Sequence, residues 1–223
     1  MNRAYIYGFA LILLSACAST QENTQKISQQ ETVSPERMKD DHIRTDEEKK
    51  TFDIFKEIFS ITRTTRNRQS VLPRIESLYM QIIRDYPETP LAQESHWRLI
   101  IMYVNDYSPP DFEKADMLYR DFVKKYHDSP LRGVIEDTLA KSYVKHGEWG
   151  RLLTLCSPSY RGYVEKKITP KASLMFMYAE AHYHLGNMEQ AEQGYSIVSE
   201  LFPKLMVGKK SKSMIQAIEN KGD

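Results

Sequence analysis

Cysteine is scarce: of the 223 residues only Cys17 and Cys156 are cysteine, and if Cys17 is modified no disulfide is left to staple the fold, so its stability must come from an apolar core. Neither sign of charge is in excess. The 31 Lys and Arg stand against 30 Asp and Glu for a formal net charge of +1, a poor footing for nucleic acid, whose binding rests on neutralising phosphates. Glycine-rich phosphate loops, paired-cysteine metal motifs, H-E-x-x-H and G-x-S-x-G are all absent. The enzyme classes built on them are excluded, and no catalysis or cofactor is expected. "HYH" places His182 and His184 two apart, and helical residues so spaced do not face each other, so no metal pair is expected. His182 is expected inside and His184 outside.

No long hydrophobic run is present either. Ala4 to Leu14 is an apolar stretch of eleven residues after Arg3, whereas a membrane-spanning helix needs about 20. A short apolar run followed by small residues is the layout of a signal peptide. Two cleavage patterns fit. Ala16-Cys17-Ala18 allows a cut after Ala18 that releases a secreted protein, while Leu14-Ser15-Ala16-Cys17 resembles the bacterial lipobox, whose cysteine is lipidated. The lipobox resemblance implies residues 1–16 as signal peptide and Cys17 as a membrane anchor carrying more than one acyl chain, which is what stable anchoring takes. Ala18 then stands where enteric lipoproteins kept at the inner membrane have aspartate. That implies the periplasmic face of the outer membrane, with the inner membrane as alternative.

Between Ala18 and Arg44 there is no aromatic residue and little aliphatic side chain. Such a stretch does not bury enough apolar area to offset its ordering entropy, so residues 17–45 read as a lipidated cysteine and disordered tether. A coil of this length spans roughly 30 Å. The folded part begins at "TDEEKK", where Thr45 as N-cap and Glu48 three residues on form a capping box. Phe52, Phe55 and Phe59 then keep helical spacing, which predicts a helix over Asp46 to Thr64. Cys156, inside "RLLTLC", reads as a buried small residue.

From there the chain repeats. "LYMQIIRDYPETPL" (78–91) and "LYRDFVKKYHDSPL" (118–131) align without a gap at an offset of forty, and "GYSIVSELFP" (194–203) keeps Tyr195, Phe202 and Pro203 at the same spacing. Periods of this size mean stacked helical hairpins. Residues 174–203 carry Ala179, Gly186, Ala191, Tyr195 and Pro203 at the crossing, turn, crossing, wedge and stop positions, and resemble a tetratricopeptide repeat. Ala140, Tyr143 and Gly147 start another unit, whose second helix is expected to be cut short by Gly150 and Pro158. The Trp97 hairpin has a longer turn with Pro109 and Pro110. The style of the repeat endings, together with the anchor, is similar to that of periplasmic helical-repeat lipoproteins, the BamD-type assembly proteins and the Tol-Pal coordinator among them. The fold implied is all-α, a right-handed superhelix of three to four stacked hairpins over 46–203. Residues 204–223 form a partial capping helix and tail, and the basic "GKKSK" (208–212) reads as a solvated loop.

In the family that is resembled, the first helix of each hairpin lines a concave groove. With Ala140 and Ala179 at the crossings, the resemblance turns Asp137, Lys141 and Lys145 into it, then Phe176, Glu180, Tyr183 and His184. Arg98, Met102 and Asn105 join from the Trp97 hairpin. Lys141 and Lys145 lie one turn apart on one face, placed either to receive a peptide carboxylate or simply to be solvated. The function expected is a lipid-anchored scaffold for a protein or peptide partner in the cell envelope. The alternative is recognition of a polysaccharide, with Phe176 and Tyr183 stacking on sugar rings. The oligomeric state is left open.

Overall fold

The computed structural model describes residues 45–222, which belong to one compact unit. The signal peptide, Cys17 and the tether lie outside the described residues. Nine α-helices and no strands are found among the described residues: α1 (Asp46–Thr64), α2 (Arg68–Asp85), α3 (Pro90–Asn105), α4 (Phe112–Lys125), α5 (Leu131–His146), α6 (Trp149–Lys166), α7 (Ala172–His184), α8 (Met188–Leu201) and α9 (Met206–Gly222).

Local signals set the ends of these helices. At α1 the capping box is complete, with the Glu48 amide donating to Thr45 Oγ1 (3.1 Å) and the Thr45 amide to Glu48 Oε2 (2.8 Å). Gly147 and Gly186 close α5 and α7 at φ of 73° and 81°, the left-handed region that side chains with a Cβ disfavour. The longer turn with Pro109 and Pro110 is held at its far end, where the Asp111 amide donates to the Tyr103 carbonyl (2.9 Å) and the Asp111 side chain caps α4.

Helices adjacent in sequence pack on one another, α4 and α5 excepted, giving the hairpins α1–α2, α3–α4, α5–α6 and α7–α8, with α9 laid against α7 and α8. First helices also meet across hairpins, α3 against α5 most extensively. This succession of packed hairpins is compatible with a helical-repeat solenoid. Close approach depends on small residues: Ala92, Ala115, Ala140, Ala179 and Ala191 are fully buried, and a Cβ added at Gly194 would lie 2.9 Å from that of Ala179. Tyr143, Tyr195, Phe122, Leu99 and Leu139 fill the space between hairpins.

Two expectations are corrected. Helix α6 runs unbroken through Gly150 and Pro158. Proline costs a helix one hydrogen bond, but Pro158 and Thr154, whose carbonyl loses its partner, both face solvent, and Leu152 and Cys156 anchor the opposite face. The "GKKSK" segment is not a loop but the start of α9. Gly208 and Ser211 are buried there, and a Cβ at Gly208 would lie 2.0 Å from the Phe202 carbonyl oxygen, so only glycine lets α9 fold back on the end of α8. Cys156 is buried as expected, and burial pushes its thiol up to about 12.

Two histidines are enclosed. His96 donates from Nδ1 to the Ala92 carbonyl (2.8 Å), with Nε2 3.3 Å from Asp121 Oδ2. Burial holds the His96 ring below its ordinary 6.5 despite both contacts, and burial does the same for His182. Both rings are therefore harder to protonate in the folded protein than in the unfolded chain, which takes up protons as pH falls through 6.5. The unfolded state binds the extra protons, so stability is lost on acidification. Urea denaturation is expected to show a loss on the order of 1 kcal/mol between about pH 7.5 and about pH 5.5. Stability that is flat or rises on acidification would contradict this assignment.

Candidate functional site

The charged side chains fall into two groups, those the fold has answered and those it has left open. Four largely buried carboxylates each accept from a tyrosine hydroxyl and meet a cation. Glu76 on α2 accepts from Tyr103 (2.9 Å), Tyr107 (2.5 Å) and Lys114 (3.0 Å). Asp116 on α4 accepts from Tyr143 and Arg151. Glu136 accepts from Tyr119 (2.8 Å) and Arg132 (2.9 Å), and Glu180 from Tyr195 (2.6 Å) and Lys210 (3.4 Å).

Burial alone would raise the Glu76 carboxyl, yet the hydrogen bonds from Tyr107, Lys114 and Tyr103 hold it below its usual range. Burial and the facing carboxylates push the hydroxyls of Tyr103, Tyr143 and Tyr195 far upward, so all three remain protonated donors. Glu76–Tyr103 and Asp116–Tyr143 are the same contact repeated forty residues on. At the next interface His182 stands three residues after Ala179, as Tyr143 stands three after Ala140, and no carboxylate pairs with it among the described residues. An apolar contact replaces the clasp there, with Tyr160 and Tyr178 stacked at 4.3 Å.

Against this background the predicted groove residues separate. Lys141 and Lys145 are exposed on α5, and neither has an ion-pair partner among the described residues. Ser142 between them donates to the Val104 carbonyl on α3 (3.3 Å), which sets exposed Asn105 beside them. Asp137 lies half-buried a turn before Lys141. Arg98 is half-buried over the rings of Phe55 (5.7 Å) and Trp97 (5.6 Å), with Nε on Glu94 (2.8 Å). Tyr183 is half-buried edge-on to His184, and His184, exposed as expected, stacks flat on Trp149 at 3.8 Å.

Three groove assignments do not hold. Phe176 is only 8% exposed, because Lys210 of α9 lies over its ring at 4.7 Å while Tyr195 packs beside it. Glu180 is spent on Tyr195 and Lys210. Met102 is buried in the core, and the repeat offset of forty shows why: it pairs Asp137 and Lys141 with Trp97 and Ile101, one residue before the positions predicted. Half-buried Trp97 and Ile101 were the residues missed, and the offset was the signal that would have found them.

On the opposite side, between α2 and α4, a depression of about 520 Å³ is floored by Met80, Ile83 and Leu118 and rimmed by Arg84 and Lys125. It lies among second helices, away from the Lys141 face. No group of three or more His, Cys, Asp or Glu side chains is placed to hold a metal among the described residues. No protein-family model matches the chain, and a search of curated proteins finds no match.

The clasps differ in redundancy, which orders their mutational cost. Removing the hydroxyl in Tyr143→Phe leaves Asp116 with Arg151 alone, and the expected loss is about 1–2 kcal/mol in urea denaturation. Tyr103→Phe is expected to cost less, since Tyr107 and Lys114 still reach Glu76. Equal or reversed costs would contradict this reading.

Proposed function

We propose that the protein is a lipid-anchored scaffold of the bacterial envelope that takes a protein or peptide partner along the face formed by the first helices of its hairpins. Cys17 would be the attachment to the membrane, and the acidic end or side chains of the partner would meet Lys141 and Lys145. The observation that carries this reading is a contrast of charge. The fold answers its largely buried acids with tyrosine and cation partners, yet leaves two lysines one turn apart without a partner, beside Asn105 and half-buried Trp97 and Ile101. Open cations next to apolar and aromatic surface suit an acidic, partly apolar segment. The helical-hairpin stack and the sequence resemblance to periplasmic repeat lipoproteins support the same role. The polysaccharide alternative loses Phe176 as a stacking platform, because that ring is covered by Lys210.

Crosslinking in the native envelope, followed by pull-down and mass spectrometry, tests the proposal. Both lysines are exposed, so Lys141→Glu with Lys145→Glu is expected to leave the melting temperature unchanged and to reduce partner recovery on the order of tenfold or more. Lys124→Glu, an exposed control on α4, is expected to leave recovery intact. Equal recovery from the double variant and the parent would remove the lysine face from the binding site. In the same strains Cys17→Ser is expected to shift the protein out of the membrane fraction, and unchanged fractionation would overturn the anchor.

A further inference from the structure

The turns from each second helix to the next first helix share one edge of the stack. Tyr126 donates to the Pro87 carbonyl (2.6 Å), joining the first two of these turns. The Lys171 ammonium lies against Gly133, which ties the third turn to the start of α5. The short, antiparallel connection through α8 returns the fourth turn, 202–205, to the same edge.

Charge along this edge is uneven. In its first half Arg84 pairs with Asp85, and the His127 ring nitrogen lies 2.7 Å from Asp128. In its second half, Arg161, Lys166, Lys167 and Lys171 stand against the single acid Glu165, and Lys204, Lys209 and Lys212 against Glu200. None of these lysines has an ion-pair partner among the described residues, though the Lys167 ammonium lies over the Tyr163 ring at 5.5 Å. On the opposite edge of the stack the acids are paired, Asp106 with Arg68, Asp111 with Lys114 and Glu148 with Arg151.

The same half-edge carries aliphatic side chains that the fold does not cover. Ile168 is 58% and Met206 78% exposed, with Val164 and Leu205 also exposed beside them. Unpaired lysines next to protruding aliphatics form the composition that binds an anionic lipid surface, cations meeting headgroups while apolar side chains enter the interface. Nucleic acid would use the lysines but leave Ile168 and Met206 without a role. No helix among the described residues is long and apolar enough to cross a membrane, so such contact would be peripheral.

We propose that the edge formed by 161–171 and 200–212 rests on an anionic bilayer, a second membrane contact independent of Cys17 and of the Lys141 face. The test uses the full chain with Cys17→Ser and measures co-sedimentation with vesicles of phosphatidylcholine alone or mixed with phosphatidylglycerol. The parent is expected to favour the anionic vesicles and to release them as salt is raised. Lys166→Gln with Lys167→Gln should weaken partition on the order of thirtyfold. Ile168→Asn with Met206→Asn should weaken it as well, without changing the melting temperature. Residues 4–14 contribute equally to every variant, so the ratio between variants reports this edge. Indifference to phosphatidylglycerol, variants that bind like the parent, or capture by an oligonucleotide without vesicle binding would each overturn the proposal.

Discussion

The contact on which much of this structure depends is a carboxylate that accepts from the tyrosine hydroxyl of a neighbouring helix and meets a cation. Glu76, Asp116, Glu136 and Glu180 each stand at a junction between helices, and their partners join α2 to α3 and α4, α4 to α5 and α6, and α7 to α8 and α9. A carboxylate taken from water without partners is costly, so each acid constrains the register in which two helices meet. A slip would leave a charge largely buried and unanswered. Apolar packing supplies the attraction between hairpins, and these clasps select the one arrangement in which it occurs. The α6–α7 junction, where His182 stands in place of the tyrosine, relies instead on Cys156, the Tyr160–Tyr178 stack and a buried imidazole.

That economy makes the remaining charges informative. A chain with a net charge of only +1 has little overall field, so its electrostatic character is set by where cations are left without partners. Two such places stand out. Lys141 and Lys145 lie on the face of the first helices, while Lys166, Lys167, Lys171, Lys204, Lys209 and Lys212 lie along one edge beside exposed aliphatics. The two surfaces sit on different parts of the stack, so a partner on the face and a lipid surface at the edge need not compete. Helix α9 contributes to both regions. Its Lys210 closes over Phe176 and Glu180, while Met206 and Lys209 project at the edge.

Much of the architecture was legible in the chain. Thr45 and Glu48 marked the first helix, Gly147 and Gly186 the turns, Ala140 and Ala179 the close crossings, and the offset of forty the succession of hairpins. Two misreadings came from applying local rules without their surroundings. Pro158 was read as a helix breaker, although its lost hydrogen bond falls on the solvent side. The lysines of 208–212 were read as a loop, although Gly208 and Ser211 between them supply the buried face of α9.

The candidate face was legible only in part. Lys141, Lys145 and Asn105 stand open as the repeat resemblance implied, whereas Phe176, Glu180 and Met102 do not. Caps, turns, periodicity and repeat offset are written within a few residues of where they act, so the sequence by itself determined the helices and the order of their hairpins. Which side chains stay open to a partner was decided by the tertiary structure alone. Lys210 reaches Phe176, Arg98 reaches Phe55 and Arg151 reaches Asp116 from helices distant in sequence, and exposure belongs to that packed arrangement, not to any one helix.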